Sequence, residues 1–492
     1  MTNFYSQLDD AFVRKAGQPC LLCADGEDWS YADLRGYIGR AATVLKAQGV
    51  DPGDRVVAQV AKSKQNLALY LAVLRIGAIY VPLNTAYTVD ELNYFIGDAE
   101  PKLFVGEVGR SDVASLTLDA TGAGSFDGLV ASAESCEAVE ARDDADLAAI
   151  LYTSGTTGRS KGAMLSHKNL SSNAVALSEA WDWQPNDVLM HALPIFHVHG
   201  LFIASHCALL NGTPMHWLPK FEPKAVVSAL KESTIMMGVP TFYVRLLDTP
   251  EFRQLEVAHI RAFICGSAPL TSQVFDEWEE VTGHRILERY GMSETIINTS
   301  NPLDGLRVPS TVGFPLPGLE LRIADDQGSP LAAHEVGTIE VRGENVFGGY
   351  WRMPEKTAEE IREDGFFITG DLGVVDDEGR VSIVGREKDL VISGGYNIYP
   401  KEVEGILDDM PEVLESAVIG VPHRDFGEVV VAVIVPTGRE VVIADSDAAL
   451  KDKLARFKQP KFVANVAELP RNTMGKVQKN LLREQFGQLF GD

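Results

Sequence analysis

The chain has 492 residues, room for two to four domains at about 100–200 residues each. Hydrophobic residues make up 45% and charged residues 23%, which excludes a disordered chain, a collagen and a coiled-coil rod. Lys and Arg number 44 against 69 Asp and Glu, a net charge of −25. A surface this acidic repels phosphodiester backbones and anionic lipid, so nucleic acid and membranes are not expected partners, and an anionic ligand requires a local basic cluster.

No apolar run approaches the ~20 residues of a membrane span. Met1–Arg14 lacks a basic segment followed by an apolar core and does not read as a signal peptide. Five cysteines, Cys20, Cys23, Cys136, Cys207 and Cys265, form an odd and sparse set that suggests free thiols and a reducing, cytoplasmic compartment. Cys20 and Cys23 form a C-x-x-C without the second pair or nearby histidines that zinc needs, and read as two thiols in an early strand.

In chain order, Leu67–Arg75 has helical spacing, with Leu67, Tyr70, Leu71 and Leu74 on one face. Leu147–Tyr152 reads as a buried strand, followed by a helical stretch at Asn169–Trp181. Further short apolar runs follow at Val188–Leu193, Thr234–Val239, Ala262–Cys265 and Ile286–Tyr290. Strands alternating with helices predict α/β architecture with largely parallel sheets, whose chemistry collects in loops beyond the strand ends. The loops Thr153–Gly162, Pro194–Gly200, Gly266–Pro269 and Gly291–Glu294 hold the most unusual local sequence.

From about Gly337 the texture becomes β-rich, with short runs at Thr338–Arg342, Gly373–Val375 and Arg380–Val384. The charged stretch Gly385–Asp389 is read as a domain boundary, the alternative being a surface turn within one domain. Beyond it, Pro400–Leu407, Ser416–Val421, Val429–Val435 and Leu450–Phe457 read α-β-β-α, a small α+β domain.

The strongest local signal is Thr153-Ser154-Gly155-Thr156-Thr157-Gly158-Arg159-Ser160-Lys161-Gly162. Glycines let backbone N–H groups turn toward an anion, hydroxyls add donors, and Arg159 and Lys161 add charge. The glycine spacing is not that of G-x-x-x-x-G-K-[ST], and Ala163–Ser166 reads as a second strand, so a hairpin that closes over a triphosphate is expected.

This loop resembles the phosphate-binding signature of the adenylate-forming enzymes: acyl-CoA synthetases, luciferases and peptide-synthetase adenylation domains. Four further blocks occur in that family's order: Tyr290-Gly291-Met292-Ser293-Glu294, Thr369-Gly370-Asp371, Gly385-Arg386, and Pro470-Arg471-Asn472-Thr473-Met474-Gly475-Lys476. Ser293 stands where the family usually has Thr and keeps the hydroxyl. The resemblance spans about Trp29 to Lys479.

It implies a large N-terminal domain over 1–385, a hinge at 386–389 containing Lys388, and a mobile lid domain over 390–492. It also implies ATP, Mg²⁺ and coenzyme A as ligands of a monomer or homodimer. By motif position, Thr153–Lys161 would hold the β- and γ-phosphates. Tyr290, Gly291 and Ser293, with Gly266-Ser267-Ala268, would flank the nucleotide. Glu294 would bind Mg²⁺ and Asp371 the ribose, with Arg386 beside it. Lys476 would bridge the substrate carboxylate and the α-phosphate. Ser393-Gly394-Gly395 would line a pantetheine tunnel, and Arg456, Lys458 and Lys461 would meet the CoA 3′-phosphate unless they are simply solvated.

The acid is read from Arg289. If Leu287–Tyr290 is a strand, Arg289 shares a face with Leu287, and an arginine on an apolar face is costly unless paired. Glu288-Arg289-Tyr290 and His197-Val198-His199-Gly200 resemble malonyl-CoA synthetases, in which an Arg and a His at these positions take the distal carboxylate. Arg289, His199 and Ser267 are therefore the expected acid-binding set and malonate the expected acid. Methylmalonate, succinate or a small monocarboxylate are the alternatives. A carrier-loading module is disfavoured because only sixteen residues follow Lys476. A luciferase-type oxidase and a non-catalytic ATP-binding protein are the remaining classes.

Overall fold

The structure, a computed structural model, describes residues 3–153, 160–451, 453–472 and 475–490. Two large sheets build its first two-thirds. One is nine-stranded, and six of its strands run parallel: Pro19–Leu22, Met215–Trp217, Leu189–His191, Ile235–Gly238, Ala262–Cys265 and Leu287–Tyr290, in that spatial order. The other is six-stranded and parallel up to Leu147–Thr153, which closes an antiparallel hairpin with Lys161–Ser166. The expected second strand after the Ser/Thr-rich loop is thus present, and Leu67–Arg75 lies within the helix Lys64–Arg75. That helix is buried over its whole length from Asn66 to Arg75, not on one face, because the helices Phe4–Arg14 and Tyr31–Ala47 pack on it as well as the strand Ile79–Pro82.

A four-stranded antiparallel meander follows: Leu319–Ala324, Gly337–Gly343, Phe367–Val375 and Val381–Arg386. Beyond Glu387–Asp389, a single 3₁₀ turn, core membership changes. The large apolar cluster runs from Phe4 to Val381, whereas two smaller ones draw only on Val391 and later residues. The last segment has the expected helix Pro400–Asp408 and the strands Val413–His423 and Gly427–Pro436. The second helix was misplaced. It runs Ile443–Leu450, while Arg456–Lys458 forms one 3₁₀ turn before Pro460. The apolar spacing of Leu450, Leu454 and Phe457 imitates a helix, but Pro460 has no N–H to continue one.

No helix among the described residues is long and apolar enough to cross a membrane. The five cysteines are free, and no metal-ligating cluster occurs among the described residues. Cys20 is buried in the strand Pro19–Leu22 and Cys23 stands just beyond its end.

Candidate active site

Three of the unusual loops leave the C-terminal ends of parallel strands in one sheet, those ending at His191, Cys265 and Tyr290. The topology therefore gathers them at one edge, as open α/β sheets do. Two non-glycine residues in these loops hold left-handed backbone, Ser267 at φ 72° and Ile296 at φ 60°. An isoleucine there is strained, and such strain collects at functional turns. Gly291 permits this turn: a Cβ on it would lie 1.9 Å from the Ile296 carbonyl.

Glu294, on that turn, is 5% exposed. Its Oε1 accepts from the Tyr350 hydroxyl at 3.1 Å, and no described cation pairs with it. Burial raises its pKa above the usual carboxylate value. A buried carboxylate with no paired cation among the described residues is a fitting ligand for a hard divalent cation. The single proton of the Tyr350 hydroxyl is shared with the nearer Glu360 Oε2, at 2.6 Å, and Lys161 Nζ reaches Glu360 Oε1 at 3.0 Å while lying 4.0 Å from the Tyr350 ring centre. Sequence reasoning missed Tyr350 and Glu360, which have no motif of their own and reach the site only through tertiary packing.

Asp371 and Arg386 are cross-strand partners in the antiparallel meander, so sheet register delivers the pair. Arg386 Nε lies 2.8 Å from Asp371 Oδ1, and the Tyr290 hydroxyl donates to Asp371 Oδ2 at 2.6 Å. Lys476 stands close to Arg386, Asp371, Lys388 and Asp389. Burial first, then Arg386, pull its pKa down to about 8. Lys476 thus reaches the Asp371–Arg386 pair from 90 residues beyond Arg386 in sequence.

All four residues of Leu287–Tyr290 are buried. Arg289 is 4% exposed, no described carboxylate pairs with it, and its Nε and Nη2 have no hydrogen-bond partner. Among the described residues it does not sit against a protein acid, the alternative reading of this arginine. The guanidinium lies flat on Gly266, where a Cβ would come within 2.6 Å of Cζ and Nη1. Burial lowers its pKa to about 10, still cationic at neutral pH. His199 faces the same space. Its Nδ1 is 3.2 Å from Ser267 Oγ, and its Nε2 is buried without a partner. Burial, then Arg289, hold His199 neutral, well below the ordinary histidine pKa. The hydroxyl of Ser267 can therefore donate to Nδ1, leaving Nε2–H as a free donor toward the pocket. His199 opens a π-helix, His199–Ser205, a wide turn that no periodicity in the sequence announced.

The structure brings together Lys161, Ser267, Arg289, His199, Tyr290, Glu294, Asp371, Arg386 and Lys476. Ser154, Gly155, Thr156, Thr157 and Gly158 lie outside the described residues. Ser393–Gly394–Gly395 belongs to a two-residue hairpin in which Ser393 pairs with Tyr396, and Gly394 and Gly395 hold φ 57° and 82°. That tight turn explains both glycines locally. Lys458 is tied to Glu402 at 2.7 Å, while Arg456 and Lys461 are exposed.

A family model described as AMP-binding enzyme matches residues 8–351, and one for the AMP-binding enzyme C-terminal domain matches residues 402–476. The chain belongs to the AMP-binding enzyme family. Within that family it is similar to the ATP-bound crystal structure of MatB from Rhodopseudomonas palustris, 51% identical over 99% of both chains with a TM-score of 0.96. The apo structure of MatB gives 0.85 at the same identity and coverage. A malonate–CoA ligase of Arabidopsis thaliana is 33% identical, covering 94% of this chain and 85% of its own. A feruloyl-CoA synthase of an Amycolatopsis species is 36% identical, covering 94% and 95%. AMP-binding enzymes of quite different acid preference are thus comparably similar over the whole chain, and the pocket residues have to decide between acids.

Proposed function

We propose that this AMP-binding enzyme joins malonate to coenzyme A, converting malonate, ATP and CoA to malonyl-CoA, AMP and pyrophosphate. A malonate carboxylate oxygen attacks the α-phosphorus, the bond to pyrophosphate breaks, and malonyl-adenylate forms. The CoA sulfur then attacks the acyl carbon, AMP leaves, and the thiol proton passes to solvent.

The observation that carries the acid is Arg289, a buried cation with two unbonded nitrogens and no counter-charge among the described residues. An unpaired buried ion costs several kcal/mol, and a carboxylate arriving between Arg289 and His199 would remove that cost. A monocarboxylate would leave it in place.

In the first step two anions must meet. At ~4 Å and an effective dielectric near 20 their repulsion is about 4 kcal/mol. Lys476 would offset it as a mobile point charge at the reacting end, with Lys161 at the phosphates. Asp371 would hold the ribose, and Glu294 would ligate Mg²⁺, which neutralises phosphate charge when bound. Residues 1–385 and 390–492 would act as two domains about the hinge at 386–389, and rotation would present Ser393, Gly394 and Gly395 to the pantetheine. The ion pair of Lys458 with Glu402 leaves Arg456 and Lys461 as the better candidates for the CoA 3′-phosphate. Free thiols fit a reducing, cytoplasmic setting.

The test is a panel of acids with AMP formation and hydroxamate capture as readouts. Malonate is expected to give the highest kcat/KM, with methylmalonate and succinate below it and butyrate lowest. A preference for butyrate or an aryl acid would overturn the assignment.

A further inference from the structure

Lys62 is 7% exposed and no described acid pairs with it. It follows the strand Arg55–Gln59 of the six-stranded sheet, yet its ammonium reaches across to the nine-stranded one. Nζ lies 2.8 Å from both Nδ1 and the carbonyl oxygen of His191, and 4.1 Å from the centre of the Trp217 ring. Nζ thus has a carbonyl and an imine nitrogen to donate to and an aromatic face beside it, and burial pulls its pKa well below the ordinary lysine value.

His191 is fully buried at the end of the strand Leu189–His191. Its Nε2 lies 2.9 Å from the carbonyl oxygen of Gly200 and 3.1 Å from Ser205 Oγ. Because a carbonyl only accepts, Nε2 must carry the proton and Nδ1 must be the lone pair that takes the proton of Lys62. The tautomer is therefore set by its neighbours. Ser205 Oγ donates to the same Gly200 oxygen at 2.8 Å. Gly200 is held from the other side as well, since a Cβ on it would meet the Pro194 oxygen at 2.1 Å.

We propose that Lys62 and His191 are positioning residues for the acid pocket: a relay from one sheet through His191 to Gly200 fixes the π-helix whose first residue is His199. A π-turn is easily lost to an ordinary α-turn, and losing it would rotate His199 away from Arg289. Two donors on one carbonyl of that turn resist the change. This inference rests on the reading of Arg289 and His199 as the seat of the distal carboxylate.

The amide nitrogen of Gln can stand where His191 Nε2 stands, whereas that of Asn is too short to reach Gly200. Steady-state kinetics on His191→Gln, His191→Asn and Lys62→Met, each with malonate and butyrate and with ATP varied, test the proposal. For His191→Asn and Lys62→Met, kcat/KM on malonate is expected to fall about 10- to 100-fold, mainly through KM, the scale of a small misplacement of a binding group. Butyrate turnover and the KM for ATP should stay within about threefold, smaller than any tenfold step in binding. His191→Gln should recover most of the malonate activity. Equal losses on both acids, or Asn and Gln behaving alike, overturn the proposal. Should His191→Asn fail to fold, Ser205→Ala, which removes one donor to Gly200, must show the same selective rise in KM for malonate or the proposal falls. If the wild-type enzyme does not favour malonate over butyrate, the underlying pocket reading fails instead, whatever the variants do.

Discussion

A guanidinium buried to 4% exposure and pressed on a bare Cα ties Gly266 to Arg289 in the proposed acid pocket. Gly266→Ala places a methyl within 2.6 Å of the guanidinium carbon, well inside contact distance, so Arg289 must move. The expected result is a loss of about 10- to 100-fold in kcat/KM on malonate with a smaller loss on butyrate, measured by AMP formation. An equal loss on both acids would place Gly266 on the nucleotide side alone. Lys476 gives a prediction in pH. Its cationic form is the one that offsets the anionic repulsion, and its pKa is drawn down to about 8. The charged fraction therefore falls as pH rises through about 8, and kcat/KM for adenylation should fall tenfold per unit above that point. Burial pushes Glu288 up to about 8 as well, so Glu288→Gln must keep the descending limb if Lys476 causes it. Disappearance of the limb in that variant would assign it to Glu288.

At the scale of elements, the parallel strands and the hairpin after Thr153 were legible because each is a short apolar run stopped by Gly, Pro or a polar turn. Asp371 and Glu294 were legible only through their motifs, since a single buried carboxylate has no local signature. The network of Glu360, Tyr350 and Lys161 was not legible, because its members lie 199 residues apart at the extremes. The same holds for Lys62 and His191, separated by 129. The π-helix at His199 escaped because its residues pack inward on every side and so show no period. The turn Glu387–Asp389, the proposed hinge, carries its own test. Proline at Lys388 fixes φ near −65°, so rotation about that residue is lost. Lys388→Pro should still release pyrophosphate with malonate and ATP, but CoA-dependent thioester formation should drop on the order of 100-fold, the loss expected when one conformational step is blocked. Comparable losses in both half-reactions would mean general misfolding.

Across the whole molecule, a net charge of −25 coexists with a site where Lys161, Arg289, Arg386 and Lys476 converge. Such a basic focus in an acidic surround favours anionic ligands at that cleft. Lys476 beside Arg386 and Asp371 suits the adenylating step. Lys476→Ala should therefore lose about 100- to 1,000-fold from ATP, the usual scale for removing one group that stabilises developing charge. Supplied with preformed malonyl-adenylate and CoA it should remain largely active, and equal failure there would refute the division of roles.

Malonate selection by Arg289 is the centre of this account, and the most direct measurement is kcat/KM for malonate and for butyrate on the wild-type enzyme and on Arg289→Ala. Removing the proposed counter-charge for the distal carboxylate should cost malonate about 2–4 kcal/mol, or roughly 30- to 1,000-fold. Butyrate, which has no distal charge, should change little or improve. A parallel fall on both acids would make Arg289 a structural residue and contradict the assignment of malonate.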